Sequence, residues 1–376
     1  MKNWLETKLE ITHGENTPLL SMEGLRGVAV FLVFWVHYSS LIDPLLSGFS
    51  VALSQFIHSF GHLGVDLFFV LSGYLIYGSV LDKKTFFSIN YAKRRVQRIY
   101  PTFLAVFTIY IALSFLFPSE SKLPSQASEI VTYIVQNLLL LPGIFDIKPI
   151  ITVAWSLSYE VFYYFIIPIV IFSLKLKKWN VNQRILFWIV ASIAGLIGWA
   201  LLGGPIRLLM FISGILLFEF YTKKQYTIKK GGTLFFIVAL VIFGFRSIYD
   251  FSYLLSIASV FILFLLLCLC AFNTQSKTYK WLTYTPLRWL GNMSYSYYLI
   301  HGLTLKVCFL VIGILLPTEY ASANIYYWLW APLFASTVLT SFVLFLVIER
   351  PLSLQVSRLS KASNKSMQPT AKAAAD

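Results

Sequence analysis

Long apolar runs alternate with short polar segments along most of the chain. Runs near 27–46, 60–81, 100–117, 153–174, 185–202, 206–221, 233–248, 253–272, 292–315 and 326–348 approach the roughly 20 residues that carry a helix across a bilayer. The pattern predicts an all-α polytopic integral membrane protein with ten transmembrane helices. Two connections stand out. Gly203, Gly204 and Pro205 leave room only for a tight hairpin between the fifth and sixth spans. The longest connection, 118–152, contains IVTYIVQNLLLLPG, which is too short to cross twice and reads as an interfacial or re-entrant segment. No period of 20–50 residues repeats.

Charge sets the expected direction. Most of the 30 lysines and arginines fall on one side, among them Lys93, Arg94, Arg95, Arg98, Arg184 and Arg288, while the other side keeps Lys122, Lys148, Arg207 and Arg246. The positive-inside rule then places both termini in the cytoplasm, and a multi-pass protein of the cell inner (plasma) membrane is expected. Three parts are expected: a polar cytoplasmic tail over 1–24, a ten-helix membrane domain over 25–350, and a disordered tail over 351–376. No positively charged n-region leads into a short apolar core, so the first span reads as an uncleaved anchor.

Composition narrows the classes further. The chain is 58% hydrophobic and 12% charged, with a mean hydropathy of +0.74, which excludes a soluble domain. The net charge of +14 sits in short clusters between apolar runs, so it points to anionic lipid headgroups and no nucleic acid. Cys268, Cys270 and Cys308 all lie in apolar runs, and no metal-ligand spacing is present.

Several polar residues inside the spans carry candidate chemistry. Arg26 and His37 are eleven residues apart in RGVAVFLVFWVH, so in a helix they share one face, roughly 16 Å apart along the axis. Ionisable residues at such depth are costly and are functional candidates by default, although a snorkelling arginine and a packing histidine fit the same pattern. His62 and Asp66 also share a helical face, with His58 one turn earlier; a helix-start role for Asp66 competes with ligand binding. In YAKRRVQRIYP, Arg94, Arg95 and Arg98 lie within a turn of one another and suit phosphate, while serving equally as topological charge. Glu160, in AWSLSYEVFYY, needs a partner inside the membrane, and depth counting offers His37 for an acid–base pair. Tyr159 and His301 are further polar candidates, and Ser72-Gly73 permits close helix approach.

Taken in order, LRGVAVFLVFWVH, GVDLFFVLSGYLI, KRRVQRIYP, WSLSYEVFYY, FISG and LGNMSYSYYLIH resemble the acyltransferase-3 family of membrane O-acyltransferases, over residues 25 to about 301. The resemblance implies an acyl-CoA donor, usually acetyl-CoA, used from the cytoplasm, and a carbohydrate hydroxyl acceptor outside. It implies catalysis at His37 and Glu160, donor binding by Arg26, Arg94, Arg95 and Arg98, and acceptor contacts from His62, Asp66, Tyr159 and His301, without a metal. Members with an added extracytoplasmic esterase-like domain exist, and this chain is expected to lack it. A proton-coupled transporter and a lipid-linked glycan flippase are the rival readings, since both also use intramembrane His and Glu.

Overall fold

All regular structure in the computed structural model is helical among the described residues, which are 2–11, 17–82, 89–249, 252–315 and 325–355. The helices are α1 (Lys2–Leu9), α2 (Thr17–Ile42), α3 (Phe49–Gly61), α4 (Leu63–Leu81), α5 (Ile89–Leu116), α6 (Ala127–Leu138), α7 (Ala154–Ser173) and α8 (Val181–Leu202). They continue as α9 (Leu209–Phe218), α10 (Gly232–Tyr249), α11 (Tyr253–Ala271), α12 (Lys277–Leu282), α13 (Thr285–Asn292), α14 (Ser294–Leu315) and α15 (Ile325–Leu344).

Among the described residues, eight helical stretches have the length and composition of a membrane span. The sixth and seventh expected spans are shorter. After the Gly-Gly-Pro hairpin, α9 has only 10 residues between a 3-10 turn and a π-helical turn, Glu219–Lys223. In α10 the apolar stretch is Gly232–Arg246. The first span runs over Leu20–Ile42, so Arg26 lies inside it and not at its edge.

Small residues set the tightest packing. A Cβ at Gly73 would stand 2.1 Å from the Phe211 carbonyl oxygen, and one at Gly214 would stand 1.9 Å from the Val70 carbonyl oxygen. α4 and α9 therefore touch backbone to backbone, as Ser72-Gly73 suggested. At the α2–α13 crossing a Cβ at Gly291 would meet the Glu23 carbonyl oxygen at 1.7 Å. α8 lies at the periphery, with Leu186, Val190, Ile193, Ile197 and Leu201 more than half exposed.

Charge inside the bundle is paired across helices. Arg184 grips Glu219 through Nε (2.6 Å) and Nη2 (3.0 Å), and Tyr77 donates to the same carboxylate at 2.5 Å. Arg288 donates to Glu23 at 2.9 Å and also to Glu10. Arg184 and Arg288, read above as topological charge, are thus buried structural ions. Within the segment before residue 25, α1 packs on the bundle: buried Leu9 lies against Met293 and Phe345, and Asn292 donates to the Leu9 carbonyl at 2.9 Å. At the other end a π-helical turn continues to Gln355, and the remainder of the expected tail lies outside the described residues.

The 118–152 connection bends into the bundle. α6 ends at Leu138, whose carbonyl accepts the Tyr100 hydroxyl at 3.3 Å, three turns into α5. Asn137 then clamps the return strand, accepting from the Ile150 N–H at 2.8 Å. Lys122 adds bonds to Pro149 O (3.1 Å), Ile150 O (3.2 Å) and Thr152 Oγ1 (2.7 Å).

Candidate functional site

Three of the chemistry-bearing stretches converge. Arg26 of α2, Arg95 and Arg98 of α5, and Glu160 and Tyr164 of α7 line one cavity of about 230 Å³, with Ser72, Ser156, Ser294, Tyr295 and Tyr298. Arg95 is fixed by a 2.7 Å bond to Ser79 and lies over the rings of Tyr91 (5.0 Å) and Tyr164 (4.6 Å). Arg98 donates to Glu349 at 2.9 Å. Arg94, on the same helix, does not line the cavity.

Pairing separates these arginines. Arg98, Arg184, Arg207 and Arg288 each meet a carboxylate within 4 Å, but Arg26 and Arg95 form no ion pair among the described residues. Both of these cations line the 230 Å³ cavity. A guanidinium presents planar donors that match carboxylate and phosphate, while Glu160 brings one carboxylate to the same chamber.

His37 lines a second cavity, of about 600 Å³, together with Ser40, Tyr110, Ser114, Glu120, Lys122, Thr152, Lys306 and mainly apolar side chains. Lys306 pairs with Glu120 at 2.6 Å. The His37 ring packs against His301, centroids 4.8 Å apart at 66°. His301 is fully buried, its Nδ1 is 2.8 Å from the Tyr297 carbonyl oxygen, and its Nε2 has no hydrogen-bond partner among the described residues.

The expected Glu160–His37 pair does not form: Glu160 accepts from the Tyr164 hydroxyl and lines the arginine cavity, while His37 lines the other. The reason is depth. Depth counting assumed that α7 starts at the membrane boundary, but the inserted 118–152 segment delivers it deeper. Tyr298, one turn before His301 on α14, donates to the Val153 carbonyl at 3.3 Å and shares a 2.6 Å bond with Ser156. Glu160 comes four residues after Ser156, roughly 6 Å further from the His37 level. The Tyr298–Ser156–Val153 layer divides the two cavities, since Tyr298 and Ser156 line the first and Val153 the second.

His62 and Asp66 gather elsewhere, around Arg207. Its Nη1 lies 3.4 Å from Asp66 and 3.2 Å from the His62 carbonyl, and its Nε donates to Tyr253 at 3.0 Å. His58 packs on His62 at 4.9 Å between centroids, and Tyr159 packs between Phe69 and Trp155. His301, grouped above with these acceptor candidates, belongs instead to His37.

Two residues escaped the sequence reading. Glu349 stands next to Arg350 in the sequence, yet adjacent helical residues do not face each other. It accepts instead from Arg98 (2.9 Å), the Ser296 N–H (3.0 Å) and the Ser296 hydroxyl (2.6 Å). Arg207 was counted as loop charge, though its place just after a three-residue hairpin and next to a span was a signal of burial.

The fold and its sites define a multi-pass helical membrane protein with an arginine-lined chamber and a histidine chamber arranged along one helix. The chain belongs to the family described as Acyltransferase domain (Acyl_transf_3), which matches residues 19–350. It is 26% identical over 321 residues to the O-acetyltransferase OatA of Staphylococcus aureus, covering 74% of this chain and 50% of that protein. Against the peptidoglycan O-acetyltransferase OatA of Listeria monocytogenes it is 26% identical over 319 residues, covering 75% and 48%. An uncharacterized protein of Haemophilus influenzae is 32% identical over 134 residues, covering 33% and 54%. The chain thus spans about half the length of the curated OatA relatives it matches. No solved structure matches it.

Proposed function

We propose that this protein is a membrane O-acyltransferase that takes an acyl group, acetyl in the simplest case, from acyl-CoA on the cytoplasmic side. It passes the group to a hydroxyl of an exported or cell-surface carbohydrate. In this reading the chain crosses the inner membrane ten times, the two short helices included, with both termini cytoplasmic. A carbohydrate acceptor is in keeping with the name of the Listeria relative, a peptidoglycan O-acetyltransferase. One observation carries the reading: the unpaired Arg26 and the cavity-lining His37 lie on the same helix, one in each chamber.

In this mechanism Arg95 and Arg98 hold the CoA phosphates and the thioester passes Arg26 towards His37. His37 takes the proton of the acceptor hydroxyl as the oxygen attacks the thioester carbonyl. The same proton then goes to the departing thiolate, so free CoA and the acyl ester leave together. Glu160 holds Tyr164 and offsets part of the arginine charge. It acts in the donor chamber, not on His37. His62, Asp66 and Tyr159, gathered near Arg207, form the acceptor surface.

The test is transfer of labelled acetyl from acetyl-CoA to soluble oligosaccharides by purified protein in lipid nanodiscs. His37→Gln should lower turnover by about 10²–10⁴ while leaving donor binding intact, and Arg95→Ala with Arg98→Ala should weaken donor binding. Wild-type protein that neither binds acetyl-CoA nor releases CoA would overturn the reading and return the transporter to first place.

A further inference from the structure

We infer that His301 is a positioning residue whose Nε2 accepts the N–H of His37 that faces away from the cavity. The inference deepens the acyltransferase reading and rests on it. Three observations carry it. First, the tautomer of His301 is dictated by its surroundings. Nδ1 lies 2.8 Å from the Tyr297 carbonyl oxygen, which can only accept, so Nδ1 holds the proton and Nε2 keeps its lone pair. Second, that lone pair is buried and has no partner among the described residues, although a buried polar atom left unpaired costs free energy. Third, the ring is held in place: it stacks on Tyr297 at 5.1 Å and 9°, and its neighbour is the edge-on His37 ring at 4.8 Å.

The two faces of His37 thus differ in kind. One side opens on the 600 Å³ cavity, and the other meets a fully buried acceptor. A small turn of the His37 ring brings its N–H onto His301 Nε2. The cavity-side nitrogen then carries the lone pair that a base needs. When that nitrogen takes the acceptor's hydroxyl proton, His37 becomes an imidazolium whose second N–H is already hydrogen-bonded. His301 stays neutral, with its own proton on the Tyr297 carbonyl. When the thiolate of CoA leaves, it takes the proton back from the cavity-side nitrogen, and both rings return to their starting forms. A carboxylate commonly supplies this support to a catalytic histidine. Here Glu160 lies in the other chamber, and Glu120, which lines the His37 cavity, is paired with Lys306.

The test uses the full-length protein in nanodiscs with acetyl-CoA and two acceptors: a sugar alcohol, which needs its proton removed, and hydroxylamine, which is nucleophilic without a base. His301→Leu should lower transfer to the alcohol by about tenfold to 10²-fold, with the donor KM and the hydroxylamine rate little changed. His301→Gln, which keeps an amide acceptor near the Nε2 position, should recover most of the alcohol rate. The inference is overturned if both acceptors lose rate together in His301→Leu, if the leucine variant stays fully active, or if glutamine recovers nothing. A wild-type protein that acetylates neither acceptor would instead sink the acyltransferase reading, and this inference with it.

Discussion

Glutamine in place of Glu349 should destabilise the fold by about 1.5–3 kcal/mol, the usual worth of a hydrogen bond to a charged group. Glu349 is fully buried and accepts three bonds, from Arg98 Nη1 at 2.9 Å, the Ser296 N–H at 3.0 Å and the Ser296 hydroxyl at 2.6 Å. A glutamine of the same size has one oxygen to offer. Its NH₂ must then face either the guanidinium or the start of α14, and both present donors. The full loss for breaking a buried ion pair is about 3–5 kcal/mol. That value overstates this case, because the Arg98 side chain is 33% exposed and its stranded charge can reach the cavity. A double-mutant cycle with Arg98→Gln, followed by reversible denaturation in mixed micelles, isolates the pair from the Ser296 cap. Coupling above about 1 kcal/mol between the two sites is expected. A cost below about 0.5 kcal/mol for Glu349→Gln, in the range of ordinary surface changes, would refute the argument that this carboxylate ties α5 to α14.

Other outcomes follow from single contacts. Gly214→Val puts a Cβ 1.9 Å from the Val70 carbonyl oxygen and should cost about 1–3 kcal/mol or more as α9 is forced off α4, read as loss of folded yield. Lys122, outside the spans, is held down from its ordinary 10.5 to about 8 by burial first and then by Lys148 and Lys306. Between about pH 8 and 10.5 the unfolded chain therefore carries the extra proton, and stability should rise with pH across that window and flatten in Lys122→Met. Arg95→Lys should restore donor binding only in part relative to Arg95→Ala, and added salt should weaken the native site, both followed by titration with acetyl-CoA.

The spans were legible because each needs a long apolar run, and the Ser72-Gly73 contact because small residues announce close approach. The convergence of Arg26, Arg95 and Arg98 was partly legible, since each sits in a short basic or helical motif. The partners were not. Glu349 lies 251 positions from Arg98 and Glu23 lies 265 from Arg288, and nothing local marks which carboxylate meets which arginine. The Glu160 depth failed for a different reason: counting from a span boundary assumes a straight entry, and the inserted 118–152 segment starts α7 lower. His301 was visible as an intramembrane histidine, but its role depends on the Tyr297 carbonyl, a backbone group that no side-chain pattern reveals.

Arg26 and Arg184 make opposite predictions, and the contrast bears on what the first chamber is for. Removing one partner of a buried pair leaves a stranded charge, so Arg184→Met should cost about 3–5 kcal/mol by abandoning Glu219. Arg26 has no ion pair among the described residues, and Glu160, which lines the same cavity, offsets its charge only from beyond ion-pair distance. Arg26→Met should therefore change the stability of ligand-free protein by less than about 1 kcal/mol, since it strands no carboxylate within ion-pair distance. The same variant should lose the rise in melting temperature that acetyl-CoA gives the native protein, because ligand stabilisation vanishes with affinity. A proton-coupled transporter predicts otherwise. A guanidinium does not release its proton, so it contributes a fixed charge and not a titrating one. In that case Arg26→Met would alter transport and leave acetyl-CoA without effect on either protein. Destabilisation of ligand-free Arg26→Met by several kcal/mol would show that Arg26 has a structural partner after all, and the donor role of the arginine-lined chamber would lose its main support.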